Sequence, residues 1–237
     1  MTNRSLERIA AGAGIIGVLL AITYVLMPPH DPSYPYTGQA ISALANHREA
    51  YLFKNLLGTL SFFFFLFFLG SLYNTLRRAE GGSGWLSILA LGGGLLFAAV
   101  HSVESIVSYA LGWHVAQAGN IEVVTALEDI GSLVAYYYAV PLAVMLVATS
   151  IVVYRTRVLP RWLAWVGFAT GTVWLVGAVG VLDPQHGPLT AIGFGGGLAL
   201  FFLVWAPATS IALMRRTDVA EEEPARISVG AVPEGVR

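Results

Sequence analysis

The chain contains no cysteine. This absence excludes disulfide bonds, thiolate metal sites, iron–sulfur clusters and a lipid-modified lipoprotein cysteine. Charged residues are also scarce: they make up 11% of the 237 residues, whereas soluble domains carry about 25%. With 56% hydrophobic residues and a mean hydropathy of +0.69, the composition indicates an integral membrane protein.

Excess charge and known catalytic motifs are missing as well. The net charge is −1 and there is no basic stripe, so nothing predicts binding to nucleic acid. The sequence has no G-x-x-x-x-G-K-[ST] phosphate loop, no H-E-x-x-H and no G-x-S-x-G motif. Functional residues therefore have to be sought among the few polar side chains within apolar segments.

Six apolar segments are long enough to cross a bilayer, because about 20 such residues span a hydrocarbon core of about 30 Å. They cover residues 9–27, 51–76, 85–111, 121–154, 162–182 and 189–214. The first exceeds the roughly 7–15 apolar residues of a signal peptide and no cleavage site follows it, which predicts a retained helix. We expect an all-α transmembrane bundle over residues 1–216 and a disordered cytoplasmic tail over residues 217–237.

The distribution of basic residues predicts the orientation of this bundle. If the N-terminus is cytoplasmic, nine arginines fall on that side, and only Arg48 and Lys54 fall on the outer side. The nine are Arg4, Arg8, Arg77, Arg78, Arg155, Arg157, Arg161, Arg215 and Arg216. The positive-inside rule then places both termini in the cytoplasm.

Glycine clusters occur in three of the apolar segments. They include "LGGGLLF" at 91–97, "FGGGLAL" at 194–200 and the G-x-x-x-G spacings of Gly167 with Gly171 and of Gly193 with Gly197. Small residues let helices approach closely in lipid, so these clusters predict packing faces. The same faces could bind a second copy of the chain or another membrane protein. Pro141 and Pro207 lie inside segments and predict kinks.

A polar cluster is predicted from the stretch "FAAVHSVESIVSYALGWH" at 97–114. His101 and Glu104 are three residues apart, which places them on one helix face. They lie about 24 and 28 Å along a segment that crosses a core of about 30 Å, so they belong to its outer part. Glu128 and Asp129 begin the next segment, and Lys54 lies at the outer end of the second.

The sequence leaves the role of this cluster open. His101, Glu104 and Glu128 could ligate Zn²⁺, Mn²⁺ or Fe²⁺, or act as acid–base groups, with Asp129 and Lys54 in support. Alternatively, all five are interfacial residues, with Lys54 snorkelling or paired with Glu104 or Glu128. No cofactor is required by the sequence. The residues that would extend the polar face are Ser105, Ser108, Thr125, Ser132 and Tyr136.

Three stretches carry a resemblance to a known family: "SLYNTLRRAEGGSGWLSILALGGG", "ALEDIGSLVAYYYAVPLAV" and "YRTRVLPRWLAWVGFATG". Over residues 9–216 the chain resembles small six-helix bacterial membrane proteins of the DUF4386-like kind, which carry a domain of unknown function. The resemblance implies a multi-pass bundle in the bacterial cytoplasmic membrane. It implies no activity and no functional residues.

Three functions remain compatible with the sequence. The first is a non-catalytic accessory or interaction protein, which needs only the bundle and its lipid bilayer. The second is a membrane-embedded enzyme, or a binder of a lipophilic substrate, with a polar or metal site in the outer leaflet. The third is a small proton-coupled transporter, which is disfavoured because no ionisable residue is predicted at the midplane.

Overall fold

The computed structural model describes residues 3–28, 37–182 and 187–216, and within these ranges it is helical and has no strand. The predicted tail at 217–237 lies outside the described residues. The helices are α1 (Asn3–Leu26), α2 (Gly38–Asn46), α3 (Arg48–Glu80), α4 (Trp85–Ala110), α5 (Ile121–Thr156), α6 (Arg161–Val179) and α7 (Pro188–Arg216). All but α2 are long and apolar enough to cross a membrane, so the prediction of a six-helix transmembrane bundle is confirmed.

Polar contacts define the end of the bundle that holds both described chain ends, here called the terminal end. Arg78 at the end of α3 forms a 2.6 Å ion pair with Glu7 near the start of α1. Arg216 at the end of α7 donates to the carbonyl of Val158, which precedes α6, at 3.2 Å. The opposite end, here called the far end, holds the end of α1, α2 and the α4–α5 connection.

The turn between α3 and α4 lies at the terminal end and is held by side chains of α3. The Arg77 guanidinium donates to the carbonyls of Gly81 and Gly82 at 3.3 and 3.1 Å. The Glu80 carboxylate accepts from the first backbone N–H groups of α4, those of Leu86 at 3.1 Å and Ser87 at 2.8 Å. Two of the first N–H groups of α4, which have no partner within the helix, and two carbonyls of the turn are thereby satisfied.

The short helix α2 was not predicted, because the connection around it is irregular in sequence. Its apolar positions Ile41 and Leu44 lie one turn apart and are both buried. They pack with Tyr51, Leu111 and Val124 into a small second core at the far end. The α4–α5 connection joins this core through a π-helical turn, Leu111–Val115, followed by a 3₁₀ turn, Ala116–Ala118.

Helix α5 is the centre of the bundle, since 72% of its spanning window is buried against 28–39% for the other five spans. Glycines bring its neighbours into backbone contact. A Cβ at Gly93 of α4 would lie 2.7 Å from the Pro141 carbonyl oxygen and 2.8 Å from the Met145 nitrogen of α5. On the other side, Ser150 Oγ of α5 occupies the place that a Cβ at Gly167 of α6 would take.

Close contacts at glycine also join α6 to α7 and α7 to α1. Gly177 of α6 and Gly193 of α7 touch backbone to backbone, and Ser210 Oγ of α7 occupies the Cβ position of Gly14 in α1. The prediction that the glycine clusters are packing faces is therefore confirmed for Gly93, Gly167 and Gly193.

Helix α7 departs from α-helical winding along much of its length. It is π-helical over Ala191–Gly196 and Ala199–Trp205, and the second segment ends just before Pro207. A proline ring displaces the carbonyl four residues earlier, here that of Leu203, which fits the wider winding at this point. Pro141, in contrast, is buried within a continuous α5.

Neighbouring glycines on α4 provide a test of the backbone contact. Replacing Gly93 with alanine should lower the thermal unfolding midpoint in detergent, by the equivalent of about 1–3 kcal/mol, because the new Cβ would overlap α5 backbone. Gly92→Ala is the matched control: nothing lies within 4 Å of its Cβ position. It should be neutral or stabilising by up to about 1 kcal/mol. Equal effects of the two substitutions would contradict the described α4–α5 packing.

Candidate functional site

His101 and Glu104 form a contact on one face of α4, as their spacing predicted. His101 Nδ1 lies 3.1 Å from Glu104 Oε2, and the two side chains are only 16% and 20% exposed. In a neutral imidazole, an Nδ1–H donates to the carboxylate and leaves Nε2 as an acceptor. The pair is therefore a preorganised polar group that faces the interior of an apolar bundle.

Aromatic rings from two other helices hold the imidazole in place. Phe62 of α3 stacks on it with ring centroids 4.0 Å apart. Tyr138 of α5 meets it edge to face at 5.5 Å, and Phe97, one turn earlier on α4, lies 6.2 Å away. Three rings therefore surround the imidazole and fix its orientation, and the low exposure of the side chain shows that His101 is directed into the bundle.

The pair lies at a cavity of about 190 Å³ among the six spanning helices. The polar groups at its wall include His101, Glu104 and Ser61. The rest of the wall is mostly aromatic or aliphatic, and its rings are those of Tyr24, Phe62, Phe97, Tyr138, Trp174 and Phe202. A concave, largely apolar cavity with a few converging polar groups is the usual form of a small-molecule site.

Trp174 of α6 also lines this cavity. Its side chain is 1% exposed, and in the described part of the chain its indole Nε1 has no hydrogen-bond partner. The indole packs between Tyr138 and Phe194, with centroid distances of 6.0 and 5.4 Å. A buried N–H without an acceptor costs free energy.

Lys54 lies near the cavity but does not line it. It is only 3% exposed, whereas a snorkelling lysine would extend to the surface of the bundle. Its ammonium lies 5.1 Å from the ring centre of Tyr24 and 5.9 Å from that of Tyr51. These cation–π contacts stabilise the buried charge, and one of them reaches a ring of the cavity wall.

Glu128 and Asp129 occupy the second turn of α5 and do not line the cavity. Asp129 is exposed and Glu128 is half-buried. Across residues 3–28, 37–182 and 187–216, no three His, Asp or Glu side chains are grouped to hold a metal ion. His101, Glu104 and Glu128, the predicted ligands, therefore do not form a metal site in this arrangement.

Only some of the residues predicted to extend the polar faces of α4 and α5 contribute to the site. Ser108 donates to Glu104 Oε1 at 3.5 Å and so extends the pair. Ser105 and Thr125 instead donate to backbone carbonyls of their own helices at 3.1 and 2.8 Å. Tyr136 exchanges a 3.2 Å hydrogen bond with Thr190 of α7, away from the cavity.

Trp174 and the wall residues of α1 and α7 were not predicted from the sequence. They are single apolar or aromatic residues in spans rich in such residues, and no spacing distinguishes them. Comparison with known proteins found no matching family model, no matching curated protein and no matching solved structure. The assignment of a function therefore depends on the geometry of the cavity.

The His101–Glu104 contact predicts one tautomer for the imidazole. In protein labelled with ¹⁵N-histidine, we expect the His101 resonances of the form protonated at Nδ1, assigned by their loss in His101→Asn. Glu104→Gln should shift them, because the charge-assisted hydrogen bond is removed. Asp129→Asn should leave them unchanged, since Asp129 is exposed and outside the cavity. An Nε2-protonated ring in the wild type would contradict the described pair.

Proposed function

We propose that this multi-pass membrane protein binds a lipophilic molecule whose polar end group lies against His101 and Glu104. The proposal rests on one observation above all. A mainly aromatic cavity inside the bundle holds a preorganised His–Glu pair and is lined by Trp174, whose buried indole N–H has no acceptor among the described residues. A buried site of this kind recognises a molecule that reaches it from the membrane interior.

The cavity groups favour a neutral, hydroxyl-bearing end group. The Trp174 N–H needs an acceptor, and the Glu104 carboxylate accepts from a donor. A hydroxyl group supplies both at once. An additional charge would have to be desolvated among six aromatic rings, and that cost is large unless the charge is fully paired.

The other functions considered have weaker support. An accessory role needs only the bundle and gives no reason for a cavity with a buried donor. Catalysis would need a reacting group placed against the substrate, and the His–Glu pair alone specifies no reaction. No separate observation favours proton-coupled transport. We therefore propose binding of a ligand, without catalysis or transport.

Native mass spectrometry of the detergent-purified protein tests this function. We expect the wild type to retain a lipophilic adduct. Glu104→Gln and Trp174→Phe should each reduce its occupancy roughly tenfold, because the first replaces a charged acceptor with a weaker neutral one and the second removes a donor. Asp129→Asn is the charge-matched control and should retain the adduct. The proposal would be refuted if the wild type showed a bare mass and also failed to bind added 1-monoacylglycerol. An accessory role would then be the favoured function.

We also propose that the chain lies in a bacterial cytoplasmic membrane with its terminal end in the cytoplasm. The basic residues support this orientation, since Arg77, Arg78 and Arg216 contact groups at that end. The bacterial origin is supported by the resemblance of the segment entering α6.

The absence of cysteine makes this orientation directly testable. Ser83 lies in the α3–α4 turn at the terminal end and Gln117 lies in the α4–α5 connection at the far end, and both are exposed. A membrane-impermeant maleimide applied to intact cells should label Gln117→Cys and spare Ser83→Cys until the membrane is permeabilised. The reverse labelling pattern would show the opposite orientation.

A further inference from the structure

An apolar groove of about 410 Å³ runs between α1 and α7. Every residue that lines it is aliphatic, glycine or phenylalanine, and none carries a charge. Leu26 on one side and Leu203 on the other are 71% and 62% exposed on the outer surface of the bundle. In a bilayer this groove faces the hydrocarbon.

The groove and the polar cavity share part of their walls. Ala21 and Val25 of α1 and Leu198 and Phe202 of α7 line both of them. The cavity that holds the polar His–Glu pair and the lipid-facing groove are thus adjacent. A molecule that occupied both would have a polar head and an apolar tail.

The geometry of α1 and α7 explains why the groove exists. Near the terminal end the two helices touch, with Ser210 Oγ at the Cβ position of Gly14 and Met214 Sδ 3.4 Å from that of Gly12. The groove lies further toward the far end, beside the π-helical segment Ala199–Trp205. Wider winding there changes which side chains face α1, and π-helical segments often occur at functional sites.

We infer that the bound molecule is a long-chain lipid whose hydrocarbon tail lies in the α1–α7 groove and whose hydroxyl-bearing head reaches the cavity sideways from the bilayer. The inference rests on the proposed function and adds to it the ligand class and the route of entry. The inference predicts that a substitution that fills the groove prevents long-chain ligands from binding. A ligand with the same head and only a short chain should still bind.

Ala199 provides the blocking substitution, because it is exposed and lines the groove but not the cavity. Ala199→Trp fills the groove with an indole. The matched control is Ala99→Trp, at an exposed position on α4 that lines neither the groove nor the cavity. Two probes are titrated, 1-palmitoylglycerol and 1-butyrylglycerol, and binding is read from the ¹⁵N shift of His101.

In the wild type and in Ala99→Trp we expect both probes to shift the His101 signal. In Ala199→Trp, 1-palmitoylglycerol should bind roughly tenfold to hundredfold more weakly, whereas 1-butyrylglycerol should bind as in the wild type. Unchanged binding of 1-palmitoylglycerol to Ala199→Trp would overturn the groove inference and leave the proposed function standing. Failure of both probes to shift His101 in the wild type would overturn the proposed function itself.

A second variant covers the case in which Ala199→Trp does not fold. Leu203→Trp narrows the same groove from a position one turn later that is 62% exposed. It should reproduce the selective loss of the long-chain probe. Equal binding of both probes to a folded Leu203→Trp protein would count against the inference in the same way.

Discussion

Close contact between helix backbones at glycine holds this bundle together. Lipid tails are as apolar as leucine side chains, so burial of apolar surface does not drive helices together within a membrane. Van der Waals contact therefore has to hold the helices together, and it is strongest where a missing Cβ lets two backbones meet. Gly93 provides such a contact with α5, and Gly177 with Gly193 provides one between α6 and α7, while at Gly167 the missing Cβ leaves room for Ser150 Oγ of α5.

The cavity follows from the same contact. Gly93, Phe97 and His101 lie four residues apart on one face of α4, so the separation set at Gly93 fixes how far the next two side chains stand from α5. Both rings then meet Tyr138 of α5, at centroid distances of 5.4 and 5.5 Å. At Phe97 and His101, α4 carries large rings in place of glycine. The helices cannot pack as closely there, and the cavity lies at that level.

Much of the architecture could be predicted because it depends on local composition. The spans follow from long apolar runs, and the contact of His101 with Glu104 follows from their spacing on one helix. The rest of the architecture, including which side chains face one another, depends on how the helices are rotated about their axes. Nothing near Trp174 in sequence shows that it lines the same cavity as His101, and nothing near Lys54 shows that it lies by Tyr24 and Tyr51 instead of at the surface. Helix α2 was missed because it gains its stability from distant Leu111 and Val124.

The turn between α3 and α4 has a consequence for the order of assembly. All the side-chain contacts described for it come from residues 77–87, with Arg77 and Glu80 acting on groups within that stretch. The turn therefore needs no help from residues synthesised later. Once Ser87 has left the ribosome, the reversal of direction can be set, and α3 and α4 can enter the membrane as a hairpin before α5 is made. The central helix α5 would then pack onto a hairpin that has already formed, before α6 and α7 are made.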